Sequence, residues 1–168
     1  MEKKQTSGIS GPDHIGILVT DIQKAADFYS RALNIGPFHI YELNVTPEML
    51  NGVTRGPRRP GKLKIGVAPK GNIAIELIEV VGGGTIYKEF LDANGSMLHH
   101  LGFEVADLEK ELTAIEARGI KVPFSIVHSQ GGAALIGGEE TGGNMVIELV
   151  QAKKPLLERL AAMQEKPR

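Results

Sequence analysis

Apolar and polar positions follow the same order in two separate segments of the chain. The first segment is DHIGILVTDIQKAADFYSRALNIG (residues 13–36) and the second is HHLGFEVADLEKELTAIEARGIKV (residues 99–122). Each opens with an apolar run typical of a strand and continues with apolar residues at helical spacing. Asp21 and Asp107 are predicted helix N-caps, because a short carboxylate accepts hydrogen bonds from the free amides of a first helical turn. We therefore expect a strand and then an amphipathic helix in each segment.

The pattern repeats again downstream of each segment. Two apolar runs around a turn occur in KLKIGVAPKGNIAIELIEV (residues 62–80) and in AALIGGEETGGNMVIELVQ (residues 133–151), and each is predicted to form two strands. The fold class is therefore predicted as α+β, with two tandem β-α-β-β-β modules at about 12–80 and 97–151. We expect these modules to form curved mixed sheets around one shared metal cleft, with residues 1–168 as a single domain.

Three further segments connect or follow these modules. A polar loop (residues 42–61) is predicted inside the first module, and a linker (residues 82–96) with a short helix around residues 87–91 joins the two modules. A C-terminal helix is predicted at about 155–166, with Leu156 and Leu160 on one side. That helix could cover the domain itself or a neighbouring subunit.

Charge and cysteine content exclude several classes of protein. The formal net charge is −1 and the acidic and basic residues are mixed along the chain, so no nucleic-acid or membrane partner is expected. With no cysteine, the chain has no disulfide and no thiol nucleophile. The polar N-terminal segment lacks the apolar core of a signal peptide, and we expect a cytoplasmic protein.

Each module contributes one histidine and one glutamate at matching positions. His14 and His100 lie in the first strand of their modules, each followed two residues later by a glycine, which is expected to leave open space beside the imidazole. Glu76 and Glu148 lie inside the apolar closing strands, where an unpaired carboxylate is costly. Brought together, these residues form a His₂Glu₂ set suited to one divalent ion such as Co, Ni, Mn, Zn or Fe.

The other histidines lack this correspondence. His99 competes with His100, but HLGFEV aligns with HIGILV and pairs His100 with His14. His99 is then expected on the opposite face of its strand, with a structural role. His39 and His128 have no equivalent in the other module and are predicted to be surface or loop residues.

The segments quoted above, together with MLHHLGFEVADLEKEL and GGNMVIELVQ, resemble the vicinal oxygen chelate superfamily of glyoxalases, bleomycin-resistance proteins and dioxygenases. The resemblance is greatest to methylmalonyl-CoA epimerase-like members. It implies metal ligands at His14, Glu76, His100 and Glu148. It also implies a metal that stabilises an enolate after a base removes a carbon-bound proton.

The same resemblance does not decide which residue is the base that removes the proton. Some epimerases have a proposed glutamate base in the strand before the turn, and alignment on GKLKIGVAP puts Lys64 at that position. Lys64 is predicted to face the cleft, either as a base with a depressed pKa or as a residue that binds an anionic group or reaches solvent. A ligand carboxylate, Glu148 or Glu76, is the other candidate, as in glyoxalase I enzymes.

The resemblance favours an isomerase, an epimerase or racemase of a carbon acid next to a carbonyl. The expected substrate is an acyl-CoA or another α-acidic carbonyl compound, such as a cyclic ketone. A glyoxalase I-type lyase is the first alternative, and a metal-free binding protein of the bleomycin-resistance kind is the second. Arg55, Arg58 and Arg59 could bind phosphates or a carboxylate, or form a solvated loop. A homodimer is expected, as is usual for small members, with the C-terminal helix as a candidate contact.

Overall fold

The computed structural model describes residue 9 and residues 11–129, 131–141 and 144–164. The first half of the chain has β1 (His14–Val19), α1 (Ile22–Leu33), β2 (His39–Val45), a short 3₁₀ helix (Met49–Gly52), β3 (Val53–Arg55), β4 (Gly61–Lys70) and β5 (Ile73–Gly83). The second half has α2 (Ile86–Asn94), β6 (Met97–Glu104), α3 (Leu108–Glu116), β7 (Phe124–His128), β8 (Gly131–Ile136), a 3₁₀ turn (Glu139–Thr141), β9 (Val146–Ala152) and α4 (Leu156–Gln164).

The strands form one nine-stranded mixed sheet in the order β2-β4-β5-β1-β6-β9-β8-β7-β3. β1 and β6 lie at its centre and run antiparallel to each other, and each pairs in parallel with the closing strand of its own module. This curved α+β arrangement confirms the predicted fold class. The first strands of the two repeats are thus neighbours, which puts both repeats around one centre.

Helix starts follow the predicted capping residues. The Asp21 side chain accepts a hydrogen bond from the Lys24 amide over 3.0 Å, and the Asp107 side chain accepts one from Lys110 over 3.1 Å. α1 ends at its C-cap Asn34, which adopts the left-handed conformation with φ of 51°. Asparagine tolerates that region better than most residues, so it closes the helix without a glycine.

One short strand departs from the repeat. β3 belongs to the first half of the chain but pairs with β7 at the edge of the second half. Residues 42–61 were predicted as a loop, whereas they contain the end of β2, the 3₁₀ helix and β3. The tertiary pairing with β7 stabilises a strand that is too short to be recognised from its own pattern.

The two faces of the sheet are covered differently. α1 packs on one face against buried residues that include Ala68 and Leu77, and α3 packs against Ala134 and Leu149. The opposite, concave face carries His14, Glu76, His100 and Glu148, with α2 and α4 packed against part of it. The site therefore lies on the face that the amphipathic helices of the repeat leave uncovered.

The C-terminal helix packs on its own chain. Leu160 is 4% exposed and belongs to the core cluster of the first half, with Leu18, Leu63 and Ile65. Leu156 is partly buried against the same cluster. The helix thus covers its own domain, which is one of its two predicted roles, and Leu160 is buried within the chain. A subunit contact through this helix stays a prediction. Residues 165 and 166 of the predicted helix lie outside the described residues.

Candidate metal centre

Four side chains from the four central strands converge on the concave face. His14 Nε2 lies 2.9 Å from Glu148 Oε2 and 3.1 Å from His100 Nε2, and His100 Nε2 lies 3.3 Å from Glu76 Oε2. One potential ligand atom from each of the four residues lies within 4.8 Å of the other three. Two imidazole nitrogens and two carboxylate oxygens are ligands that divalent transition ions accept. This set of residues could therefore hold one such ion.

The glycines beside the histidines have a reciprocal role. A Cβ added at Gly102 would lie 1.8 Å from the His14 ring, and one at Gly16 would lie 2.0 Å from the His100 ring. Strand register explains this, because His14 is opposite Gly102 and Gly16 is opposite His100. The space predicted to be open beside each histidine is thus filled by the imidazole of the other module.

Charge compensation dominates the electrostatics of this centre. Burial by itself lowers the pKa of His14, but hydrogen bonds to Asp13 and Glu148 and the charge of Glu76 raise it to about 10. Burial by itself raises the pKa of Glu148, but His100 and His14 lower it to about 2. The pKa of His100 is raised by the two carboxylates against the opposing effect of burial. The buried carboxylate of Glu148 and the partly buried one of Glu76 are stabilised here by positive charge, which a divalent ion would also supply.

Asp13 contacts the second ring nitrogen of His14, a candidate ligand. Its Oδ1 lies 2.8 Å from His14 Nδ1, so the proton of a neutral His14 ring is held on Nδ1 and the Nε2 lone pair faces the other ligands. The sequence reasoning missed this residue. A carboxylate directly before a candidate ligand, at the repeat position of His99, was the available signal.

His99 lies beside the centre rather than on the opposite face. The β1–β6 register shifts after the Gly16–His100 pair, and the two adjacent histidine rings approach with their Nδ1 atoms 2.9 Å apart. His99 is fully buried and packs edgewise on Phe90 and Tyr87 of α2. Burial is the main cause that lowers its pKa, to about 3, so the ring is neutral. The predicted alternation of faces fails here because the strand is irregular.

A cavity of about 220 Å³ opens over Glu76 and Glu148. Its charged lining residues are these two glutamates and Arg59, and most of its other walls are apolar, among them Tyr41, Leu63, Ile65, Phe124, Ile126 and Leu135. Tyr87 also lines it, and burial raises the pKa of this phenol well above its usual value. The cavity suits a small, largely apolar group next to the candidate metal ligands.

Lys64 does not face this cavity. The cavity is lined by Leu63 and Ile65, and side chains alternate along β4. Lys64 pairs across the sheet with Glu42 and Glu79, and the Glu79 carboxylate accepts from the first amide of α1. The prediction that Lys64 faces the cleft is therefore wrong. Leu63 and Ile65 lie on the cavity face of β4, where they also pack against Leu160 of α4, and Lys64 lies on the opposite face.

The three arginines of the loop have different surroundings. Arg55 lies within ion-pair distance of Glu109 (3.2 Å) and Glu116 (2.8 Å) of α3, away from the cavity. Arg58 is exposed. Arg59 pairs with Glu89 of α2 and lines the cavity. Only Arg59 among the three is placed to meet a ligand there.

His39 and His128 are exposed at strand ends, as surface residues.

Comparison with known proteins assigns a family. The sequence profile of the glyoxalase/bleomycin resistance protein/dioxygenase superfamily matches residues 13–136. A methylmalonyl-CoA epimerase structure from Mycobacterium tuberculosis aligns with a TM-score of 0.66 at 22% identity, covering 96% of this chain and 97% of that one. A Streptomyces coelicolor methylmalonyl-CoA epimerase variant in complex with 2-nitronate-propionyl-CoA aligns with a TM-score of 0.65 at 20% identity, covering 88% and 97%. Comparison with curated proteins gives no match.

The helices give one further result. Among the described residues, no helix has both the length and the apolar character needed to span a bilayer.

Proposed function

The chain belongs to the glyoxalase/bleomycin resistance/dioxygenase superfamily, and from that premise we propose that it is a metal-dependent epimerase or racemase of a carbon acid next to a carbonyl, similar to methylmalonyl-CoA epimerase. The observation that carries the proposal is the convergence of His14, Glu76, His100 and Glu148 at one end of an apolar cavity. Because the ligands come from both modules, we also propose that the whole chain acts as one domain.

The reaction needs positive charge and a base. A divalent ion held by these four residues would supply fixed positive charge for the enolate oxygen that develops when the carbon-bound proton leaves. The cavity lining includes two carboxylates, Glu76 and Glu148, and with Lys64 on the other face of the sheet they are the base candidates.

Glu76 and Glu148 differ in their contacts. Glu148 approaches both imidazoles, with separations of 2.9 and 3.6 Å, and its side chain is 11% exposed. Glu76 approaches His100 at 3.3 Å but His14 only at 4.0 Å, and its side chain is 21% exposed. We assign Glu76, the more exposed carboxylate, as the base, and Glu148, whose pKa the two histidines lower, as a carboxylate that stays ionised beside the ion.

The substrate proposal comes from the cavity and from the relatives. Two of the similar structures are described as complexes with 2-nitronate-propionyl-CoA and with methylmalonyl-CoA. A cavity of about 220 Å³ accommodates an acyl group, with the remainder of a CoA thioester outside it. We assign Arg59, at the cavity wall, as the residue that binds a substrate carboxylate.

A homodimer is also proposed, and light scattering at micromolar concentration tests it.

A second function, a glyoxalase I-type lyase, is favoured by one specific observation. The carboxylates that line the cavity are both candidate metal ligands, and a ligand carboxylate as base is the pattern that the resemblance to glyoxalase I enzymes implies. The two functions differ in substrate, not in the set of residues.

Deuterium incorporation tests the proposal. The protein is loaded in turn with Co²⁺, Ni²⁺, Mn²⁺, Zn²⁺ and Fe²⁺ and incubated in D₂O with methylmalonyl-CoA, with the thiohemiacetal of glutathione and methylglyoxal, and with a cyclic ketone. We expect metal-dependent exchange at the α-carbon of methylmalonyl-CoA, and loss of about 100-fold or more in Glu76→Gln. Glu42→Gln, an exposed glutamate on the other sheet face, is the matched control.

The outcomes separate the two functions. Exchange with methylmalonyl-CoA supports the epimerase, whereas turnover of the thiohemiacetal alone supports the lyase. Absence of stoichiometric metal binding after loading, or unchanged exchange in His100→Ala, would show that the proposed centre is not the active site.

A further inference from the structure

The residue immediately before each ligand histidine occupies the same position in the repeat. Asp13 precedes His14 and His99 precedes His100. Asp13 Oδ1 lies 2.8 Å from His14 Nδ1, and His99 Nδ1 lies 2.9 Å from His100 Nδ1. Both ligand imidazoles therefore have their outward nitrogen held by the preceding side chain, although one holder is a carboxylate and the other an imidazole.

A contact between two Nδ1 atoms allows only one proton between them. If His100 binds a metal through Nε2, that nitrogen carries a lone pair and the proton of the neutral ring is on Nδ1. His100 Nδ1–H must then donate, so His99 Nδ1 accepts and the proton of His99 is on Nε2. The reverse arrangement would put the His100 proton on Nε2 and remove it from the ligand set.

We propose that His99 is a positioning residue that fixes the metal-binding tautomer of His100 by accepting its Nδ1 proton, in the way that Asp13 does for His14. This inference rests on the proposed metal site and adds to it a histidine that contacts no substrate. The two candidate ligand histidines then have unlike partners, a carboxylate for His14 and a neutral imidazole for His100.

The surroundings of His99 support this role. The ring is fully buried, perpendicular to Phe90 at a centroid distance of 4.5 Å and close to perpendicular to Tyr87 at 5.2 Å. Among the residues that the structure describes, its Nε2 has no hydrogen-bond partner. A buried polar atom without a partner is unfavourable. A leucine or phenylalanine would avoid that cost, so packing alone does not account for a histidine here.

Direct observation of the tautomers tests the proposal. Long-range ¹H–¹⁵N correlation spectra of the Zn²⁺-loaded protein distinguish a protonated from an unprotonated ring nitrogen. We expect His100 protonated on Nδ1 and His99 protonated on Nε2. His14, whose Nδ1 lies beside Asp13 in the other module, provides the internal comparison within the same spectra.

Variants test the effect on metal binding. His99→Phe keeps an aromatic ring between Tyr87 and Phe90 but removes the acceptor, and we expect it to weaken Zn²⁺ binding by about 10–100-fold in chelator competition. His99→Asn places an amide oxygen near the former Nδ1, and we expect it to recover most of that loss. Asp13→Leu, which removes the acceptor for His14 Nδ1 in the first module, should weaken binding by a similar factor.

Different failures have different meanings. If His99 carries its proton on Nδ1 in the Zn²⁺-loaded protein, or if a folded His99→Phe binds Zn²⁺ as tightly as wild type, the role of His99 is overturned and the metal site stands. If the wild-type protein binds no divalent ion, the proposed function and this inference are both overturned. Where His99→Phe does not fold, the tautomer spectra of the wild type decide.

Discussion

Replacing Gly102 by alanine should disrupt the centre without touching a ligand. The added Cβ would lie 1.8 Å from His14 Cε1, and 2.2 and 2.3 Å from the two ring nitrogens. Ordinary contact begins near 3.4 Å, so the imidazole must move by about 1.6 Å, or the strands must separate. Metal–ligand distances tolerate deviations of only about 0.2 Å. His14 would then be lost as a ligand.

The size of the effect follows from that displacement. We expect Gly102→Ala to reduce metal affinity by at least about 100-fold, more than is typical for loss of a partner outside the ligand set. We also expect a loss of about 1–3 kcal/mol in the free energy of unfolding, as is usual for overpacking in a core. Isothermal titration calorimetry with Co²⁺ measures the first, and urea denaturation of the metal-free protein measures the second.

Gly82→Ala is the matched control. Gly82 is also a strand glycine, in β5, but a Cβ there would have no atom within 4 Å. The control should bind Co²⁺ with wild-type affinity. If Gly102→Ala also binds Co²⁺ with wild-type affinity and keeps its stability, the close packing of the His14 ring on Gly102 is refuted. The geometry described for the centre is then refuted as well.

Three other changes test separate parts of the structure. Lys64→Ala should retain metal binding and proton exchange, and loss of exchange with metal retained would restore Lys64 as a base. Leu160→Ala should cost about 2–5 kcal/mol in urea denaturation, with no change of oligomeric state in light scattering. Arg55→Ala should cost about 1 kcal/mol at pH 7, with exposed Arg58→Ala as control. Arg55 lowers the pKa of Glu116 in the folded protein. The stabilisation by this ion pair is therefore complete above the usual glutamate pKa near 4.5 and is lost as pH falls through the lower pKa of the folded state. If Arg55→Ala is still less stable than wild type at pH 2, this assignment is contradicted.

The repeat made the fold and the clustering of the four candidate ligands predictable. Because His14 and His100 occupy the same position of two similar strands, one alignment indicated both residues and distinguished them from His99. Glu76 and Glu148 were visible for the same reason, as acidic residues within apolar runs. The comparison of two halves of one chain supplied information that a single strand does not contain.

Features that depend on tertiary packing were not predictable in this way. The faces of β4 were assigned in reverse, because Leu63 and Ile65 form both core and cavity wall once α4 packs beside them. The position of His99 depends on a shift in strand register that no residue pattern marks. β3 is defined by its partner β7, which is more than 60 residues away along the chain.

The pairing of β3 with β7 also affects how the protein can open. The four strands that carry the candidate ligands are in the middle of the sheet and have hydrogen-bonded neighbours on both sides, whereas β3 has three residues and lies at the edge. Local unfolding begins where a segment has few neighbours. Residues on both sides of β3, Leu50 and Arg59, line the cavity. Fraying of this one strand would therefore widen the route to the cavity and leave the central strands that carry the candidate metal ligands in register.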